Sequence, residues 1–312
     1  MKTLCHLRPL KAIRKPIVLA AGFFDGLHRG HRKVVRQTLA RARGIGGEAW
    51  VFTFDTHPMK ILDPSRAPLL LTSTAHKVRQ LEGMGLDGCV VMPFTRPLAR
   101  LEPEAFVARL CDAAPSLAWV LVGGNWRFGR CGRGDAKLLA RLGRERGFRV
   151  SVVRPVLCRG KPVSSTRVRR AITRGRLDEA AVMLGRRFSI LGTVVRGRSV
   201  GRRLGYPTAN LAPHNEVMPP PGVYAVQARV RRQLHDGVLN FGFHPTFGKG
   251  ADRPVLELHL FDFTANLYGE VVEVFFVKRL RGERKFASVP DLQARIAGDI
   301  RAARRHLAAA AP

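Results

Sequence analysis

At 312 residues the chain is long enough for two domains of ordinary size, about 100–200 residues each, and its apolar runs fall well short of the roughly 20 residues that span a bilayer, so no membrane role is expected. Its five cysteines are odd in number and form no CxxC pair, which points to reduced thiols in a cytoplasmic protein rather than to a disulfide framework or a zinc site. The net charge of +31 is spread along the chain, 34 Lys+Arg against 13 Asp+Glu in residues 1–184 and 20 against 10 in residues 185–312, with no C2H2 spacing and no RNP-like aromatic run; it favours anionic ligands without implying specific nucleic-acid recognition.

Residues 17–24 form a short apolar run between Pro16 and Gly26 and read as a buried strand. The segment Gly22-Phe23-Phe24-Asp25-Gly26-Leu27-His28-Arg29-Gly30-His31 follows, and then a helical pattern in which Val34, Val35, Leu39 and Ala42 share a face and Gly44 is a stop. His28 and His31 therefore sit on a strand-to-helix turn, where backbone N–H groups and the helix dipole favour a phosphate. A pair of ordinary surface histidines fits the same spacing. Further strands are expected at 48–54, 89–93, 119–122 and 148–153, alternating with helices around 75–84, 104–112 and 138–146. That alternation predicts a parallel sheet covered by helices, with ligands at the carboxyl ends of its strands.

Residues 165–185 read as helical, with Asp178 as an N-cap and Gly185 as the terminal glycine, and the domain boundary is set between 184 and 185. Beyond it, strands at 188–195, 222–230, 238–243, 255–263 and 271–277 follow without helices between them, which predicts an antiparallel barrel. A helix over 290–307 closes the chain, with Leu292, Ile296, Ile300 and Ala303 in a stripe.

Several polar residues stand out against this frame. Ser164-Ser165-Thr166 precedes a helix and either binds phosphate, with the forked charge of Arg169 nearby, or simply caps that helix. Asn125 follows a strand and is either a ligand contact or a turn amide. Glu257 lies in an apolar strand, where an unpaired carboxylate is costly, although the alternation Glu257, His259, Phe261 also fits an outward face. Thr208 and Asn210 follow Pro207 in a short rigid turn. Gly197, Gly201 and Gly205, interleaved with Arg198, Arg202 and Arg203, form either a phosphate-covering flap or a solvated basic hairpin.

Taken in order, the turn 22–31, Val122-Gly123-Gly124-Asn125-Trp126-Arg127-Phe128-Gly129 and Val163-Ser164-Ser165-Thr166-Arg167-Val168-Arg169 resemble the bacterial bifunctional riboflavin kinase and FAD synthetase family. So do Leu204-Gly205-Tyr206-Pro207-Thr208-Ala209-Asn210, Asn240-Phe241-Gly242-Phe243-His244-Pro245-Thr246-Phe247, the strand around Glu257, Leu267-Tyr268-Gly269 and Leu280-Arg281-Gly282-Glu283-Arg284-Lys285-Phe286. The resemblance implies a Rossmann-like nucleotidyltransferase domain over 1–184 and a six-stranded β-barrel kinase domain over 185–312 ending in a helix. It implies ATP-dependent phosphorylation of riboflavin to FMN in the second domain and adenylylation of FMN to FAD in the first, both with Mg²⁺. His28 and His31 would then serve adenylyl transfer, with Gly22, Phe24, Asp25, Gly30, Asn125, Ser165, Thr166 and Arg169 around ATP. Glu257 would be the kinase base, with Gly201, Gly205, Thr208 and Asn210 on ATP phosphates, Thr208 and Asn210 on the metal, and Arg281 and Phe286 on the flavin. Thr56, Asn125, Pro162 and His244 depart from the residues common in that family. Two other readings stay open: a chain with a single working module, and a basic RNA-binding or regulatory protein that keeps the fold.

Overall fold

The computed structural model describes residues 1–197, 205–244, 253–284 and 286–309. The chain divides into two compact units, Met1–Leu70 with Thr74–Ser165, and Leu71–Ser73 with Thr166–Pro312.

The first unit runs β1 (Lys2–Leu4), β2 (Ile17–Ala21), α1 (Arg29–Gly44), β3 (Glu48–Phe54), α2 (Pro58–Leu62), α3 (Thr74–Glu82), β4 (Gly88–Met92), α4 (Arg96–Ala99), α5 (Pro103–Ala113), β5 (Leu117–Gly123), α6 (Ala136–Arg146), β6 (Arg149–Val153) and a small hairpin, β7 (Leu157–Cys158) with β8 (Lys161–Pro162). The first six strands form one sheet in the order β1-β4-β3-β2-β5-β6, and every pairing is parallel. Side chains alternate along each strand. Ile17, Leu19 and Ala21 therefore join Trp50 and Phe52 in a core with Phe106 and Leu139, whereas Val18 and Ala20 join Val51 in a second core with Val34 and Val35. Two covered faces explain why these strands are apolar throughout. The chain steps from β2 to β3 to β4 in one direction and places β5 on the other side of β2. The carboxyl ends of β2 and β5 thus flank the point where strand order reverses, the usual crevice of such sheets.

The strand expected over 17–24 stops at Ala21. Phe24 adopts the left-handed conformation, φ 57°, and cannot continue an extended chain. The strand at 48–54 has the expected bounds. The helical stretch 165–185 is two helices, α7 (Ser165–Thr173) and α8 (Leu177–Leu184), separated at Gly175, whose φ is 71°. Asp178 is not the cap of α8: Arg176 holds that position, and Asp178 stands in the first turn, where the helix dipole favours a carboxylate. Gly185 ends α8 in the left-handed conformation, φ 69°, as read from the sequence.

The second unit is built on β9 (Ser189–Val195), β10 (Ala209–Pro213), β11 (Gly222–Val230), β12 (Gln233–His244), β13 (Arg253–Leu260) and β14 (Val271–Arg281). They close into a barrel in the order β10-β13-β12-β11-β14-β9 with antiparallel pairing throughout. Tyr224 and Phe276 meet edge-to-face in the core, ring centroids 5.2 Å apart, and burial pushes the Tyr224 hydroxyl up to about 12. The last helix, α9 (Val289–Ala308), sets Ala303 and Leu307 against Val223, Ala225, Val238 and Phe261 on the outside of the barrel.

A Cβ on Gly88 would come within 2.2 Å of the buried Trp50 ring. All three tryptophans lie in the first unit, so their fluorescence reports on that unit alone. Gly88→Ala is expected to destabilise it by about 1–3 kcal/mol through overpacking. Urea unfolding followed by tryptophan emission should show an earlier midpoint, and an unchanged midpoint would contradict this account of the Trp50 pocket.

Candidate active sites

The turn from β2 into α1 gathers the first set of residues. Phe24, Gly26 and Leu27 hold φ angles of 57°, 73° and 39°, and these residues are buried together with Asp25. His28 caps α1: its Nδ1 accepts a hydrogen bond from the His31 amide at 3.3 Å. The two imidazoles stack with centroids 3.7 Å apart and planes 16° apart, and the Phe24 ring meets His31 edge-on at 5.3 Å. A Cβ on Gly30 would stand 3.0 Å from His28 Cε1, and one on Gly22 would stand 3.0 Å from the Phe24 ring, so both glycines leave room for rings that matter. Burial, then the nearby His28 and Lys77, hold His31 well below the usual histidine range. His31 is therefore neutral at physiological pH, and its enclosed Nδ1 makes no hydrogen bond.

Of the other expected residues, Asn125 and Ser165 belong to the first unit and Thr166 and Arg169 to the second. Asn125 is exposed on the turn that follows β5, where the Trp126 amide bonds back to Gly123 at 3.1 Å. The Ser165 hydroxyl, at the last residue of the first unit, donates to the Asp25 carbonyl at 3.0 Å. Thr166 and Arg169 continue along α7 in the second unit. The sequence reading missed Lys77, which lies buried on α3 and donates to the Phe23 carbonyl, the Thr53 hydroxyl and the Phe54 carbonyl. Its signal was a lysine four residues before Leu81 on the inward face of that helix.

In the barrel, strand register assembles the second set. Asn210 pairs with Glu257, Glu257 with Asn240, Asn240 with Val223, and Val223 with Arg281. Directly paired residues of antiparallel strands point to the same face, so Asn210, Glu257 and Asn240 form one polar row. Leu256, Leu258 and Leu260 fill the barrel on the opposite face, which leaves Glu257 and His259 half-buried. His259 Nδ1 lies 2.8 Å from the Pro207 carbonyl and so holds the approach to Thr208 against β13. A Cβ on Gly197 would meet the Asn210 amide at 2.0 Å. Asn240 stands within one of the motifs of the resemblance, which gives it no role. Its signal was a single amide inside the apolar stretch of β12. Arg281 binds the buried Asp299 of α9 through Nε and Nη2, at 2.8–3.1 Å, and its guanidinium lies 5.6 Å from the centre of the Phe286 ring. Gly205 has a φ of 85°; Gly201 lies outside the described residues.

Residues 10–167 match the family described as FAD synthetase, and residues 184–307 match the family described as riboflavin kinase. The bifunctional riboflavin kinase/FMN adenylyltransferase of Bacillus subtilis (strain 168) is 33% identical over 313 residues, covering 98% of each chain. This chain belongs to that bifunctional family. The Escherichia coli (strain K12) relative of the same name is 35% identical over 290 residues, 93% of this chain and 92% of its own. A solved structure titled macrolide-efflux protein from Streptococcus pneumoniae matches 97% of this chain and 98% of its own, at 30% identity and a TM-score of 0.84. The chain thus carries both an FMN adenylyltransferase domain and a riboflavin kinase domain. Among the described residues no helix is long and apolar enough to cross a membrane.

Gly30 does not need left-handed backbone, so Gly30→Ala should leave α1 as stable as before or slightly more so. The added methyl group presses on His28. The expected result is an about ten-fold loss of FAD formation from FMN at an unchanged melting temperature, since small displacements of a positioning group are costly. Undiminished FAD formation would show that the gap beside His28 is not needed.

Proposed function

We propose that the chain makes FAD from riboflavin in two ATP-dependent steps, with residues 185–312 as the kinase and residues 1–184 as the adenylyltransferase. What carries the reading is that each half has its own polar constellation: the stacked His28 and His31 at the start of α1, and the register row through Asn210 and Glu257.

In the first step Glu257 takes the proton of the ribityl terminal hydroxyl as that oxygen attacks the γ-phosphorus of ATP, and ADP departs. Thr208 and Asn210 supply a hydroxyl and an amide oxygen beside the Glu257 carboxylate. This all-oxygen donor set fits Mg²⁺, which takes few protein ligands and completes its shell with phosphates and water. Bound there, the ion would neutralise charge on the transferring phosphates. Gly205 covers the phosphates, Asn240 extends the polar row, and Arg281 with Phe286 holds the flavin.

In the second step an oxygen of the FMN phosphate attacks the α-phosphorus of ATP and pyrophosphate leaves. No side chain needs to become covalently attached; the work is orientation and stabilisation of growing negative charge. His28 and His31 donate to the phosphate oxygens at the positive end of the α1 dipole. Gly22, Phe24, Asp25 and Gly30 shape that turn, and Asn125, Ser165, Thr166 and Arg169 bind the nucleotide. Both steps consume ATP, which fits a cytoplasmic location.

Purified full-length protein incubated with riboflavin, ATP and Mg²⁺ should yield FMN and FAD on chromatography. The double variant His28→Ala with His31→Ala should accumulate FMN, with FAD formation lowered about 10²–10³-fold or more. Glu257→Ala should lower FMN formation about 10²–10⁴-fold and still convert added FMN to FAD. Folded variants that each lost both activities would refute the assignment of one reaction to each half.

A further inference from the structure

Lys77 is a buried charged group that the proposed mechanism does not use. Lys77 is 2% exposed, and three acceptors converge on its Nζ: the Phe23 carbonyl at 3.1 Å, the Thr53 hydroxyl at 3.0 Å and the Phe54 carbonyl at 2.7 Å. The Thr53 hydroxyl spends its own hydrogen on the Phe23 carbonyl, 3.0 Å away, so it can only accept from Lys77. Three acceptors require three N–H donors, which an ammonium has and a neutral amine lacks. The Nζ also lies 4.2 Å from the centre of the Phe23 ring. Phe23 immediately precedes Phe24, the first left-handed residue of the turn that presents His28 and His31.

We propose that the Lys77 ammonium is the positioning residue of adenylyl transfer, clamping the carbonyls of Phe23 and Phe54 together and thereby fixing the turn that aims His28 and His31. The inference rests on the reading of this unit as the adenylyltransferase. Lys77 acts through the turn and touches no reacting atom.

The surroundings of Lys77 make the clamp sensitive to pH. Burial lowers its pKa to about 8, against the opposing pull of Asp25 in the turn, Cys89 on β4 and Asp55 beyond β3, while His31 on α1 faces it as a neutral ring. An unfolded lysine keeps its proton to about 10.4. Between these values the unfolded chain binds more protons than the folded one, so the Lys77 contribution to stability grows as pH rises. The clamp meanwhile loses its third donor. Stability and FAD formation should therefore move in opposite directions through this window, which a lysine that merely fills space would not produce.

The test uses full-length wild type, Lys77→Met and Lys77→Arg, measuring kcat and KM for FAD formation from FMN across this pH range, with riboflavin kinase activity and melting temperature alongside. The expected result is an about 100-fold fall in kcat for Lys77→Met, with KM for ATP and FMN little changed and kinase activity intact. Wild-type kcat should fall as pH rises through about 8. Lys77→Arg, whose guanidinium does not titrate there, should show a flat profile. Wild-type kcat in a folded Lys77→Met, or an alkaline fall retained in a folded Lys77→Arg, overturns the inference. If neither variant folds, a wild-type kcat that stays flat across the window overturns it and a fall there supports it. A wild-type chain that makes no FAD overturns the adenylyltransferase reading and this inference with it, whereas FAD formation indifferent to Lys77 overturns this inference alone.

Discussion

The amino-terminal site depends on a turn that the chain would not adopt by itself. Phe24 and Leu27 sit at φ 57° and 39°, a conformation that costs a residue with a side chain about 1–2 kcal/mol each. Burial offsets that cost, because removing each of these two side chains from water contributes roughly 1.5–3 kcal/mol. The strain has a geometric result. It ends β2 at Ala21, turns the chain within a few residues and starts α1 at His28, so that the cap of the helix is itself a phosphate-binding candidate. A relaxed strand running on to Phe24 would have carried both histidines away from the switch point beside β5.

The barrel reaches a comparable result without strain. Once Leu256, Leu258 and Leu260 are committed to the interior, Glu257 and His259 must face the other way, and antiparallel pairing fixes which residues stand beside them. The polar row is thus a by-product of hydrophobic register: a slip of one residue in β13 would bury Glu257 and expose the leucines. Register is a stiff constraint for that reason. The site inherits its precision from the core rather than from hydrogen bonds among its own members.

Periodicity made most of this visible in advance, and its failures have physical causes. The strands at 48–54 and 222–230 carry long runs of buried apolar residues and were legible with their bounds. Strand β10 was read as a rigid turn because it has five residues, only one fully buried, and prolines at Pro207 and Pro213 beside and within it. Its partnership with Glu257 is a contact across the sequence that no local pattern displays. Lys77 is easily passed over for a different reason: its helical spacing to Leu81 is a weak signal because lysine is nearly always solvated, and what holds it inside is a set of carbonyls and a hydroxyl contributed by other segments. Arg281 was legible as part of a motif, but the carboxylate that holds it, Asp299, belongs to a helix whose pattern only announced an apolar stripe.

Four glycines show why such sites are hard to read from composition. Gly26 and Gly175 sit at φ 73° and 71° and are needed for the path of the chain. Gly30 and Gly197 have no such requirement. A Cβ at Gly30 would stand 3.0 Å from His28 Cε1, and one at Gly197 would stand 2.0 Å from the Asn210 amide nitrogen. These two glycines hold space against a side chain of a proposed site, one in each unit. Spacing alone does not separate the two kinds: Gly30 and Gly197 stand out only within their motifs, and Gly175 not at all. The distinction matters because a site for phosphates must let a bulky anion approach the backbone closely, and the gap has to be reserved by a residue that gains nothing from it in the folded chain. Where a glycine lies against a polar side chain without a backbone angle to explain it, the missing methyl group is itself evidence of a site.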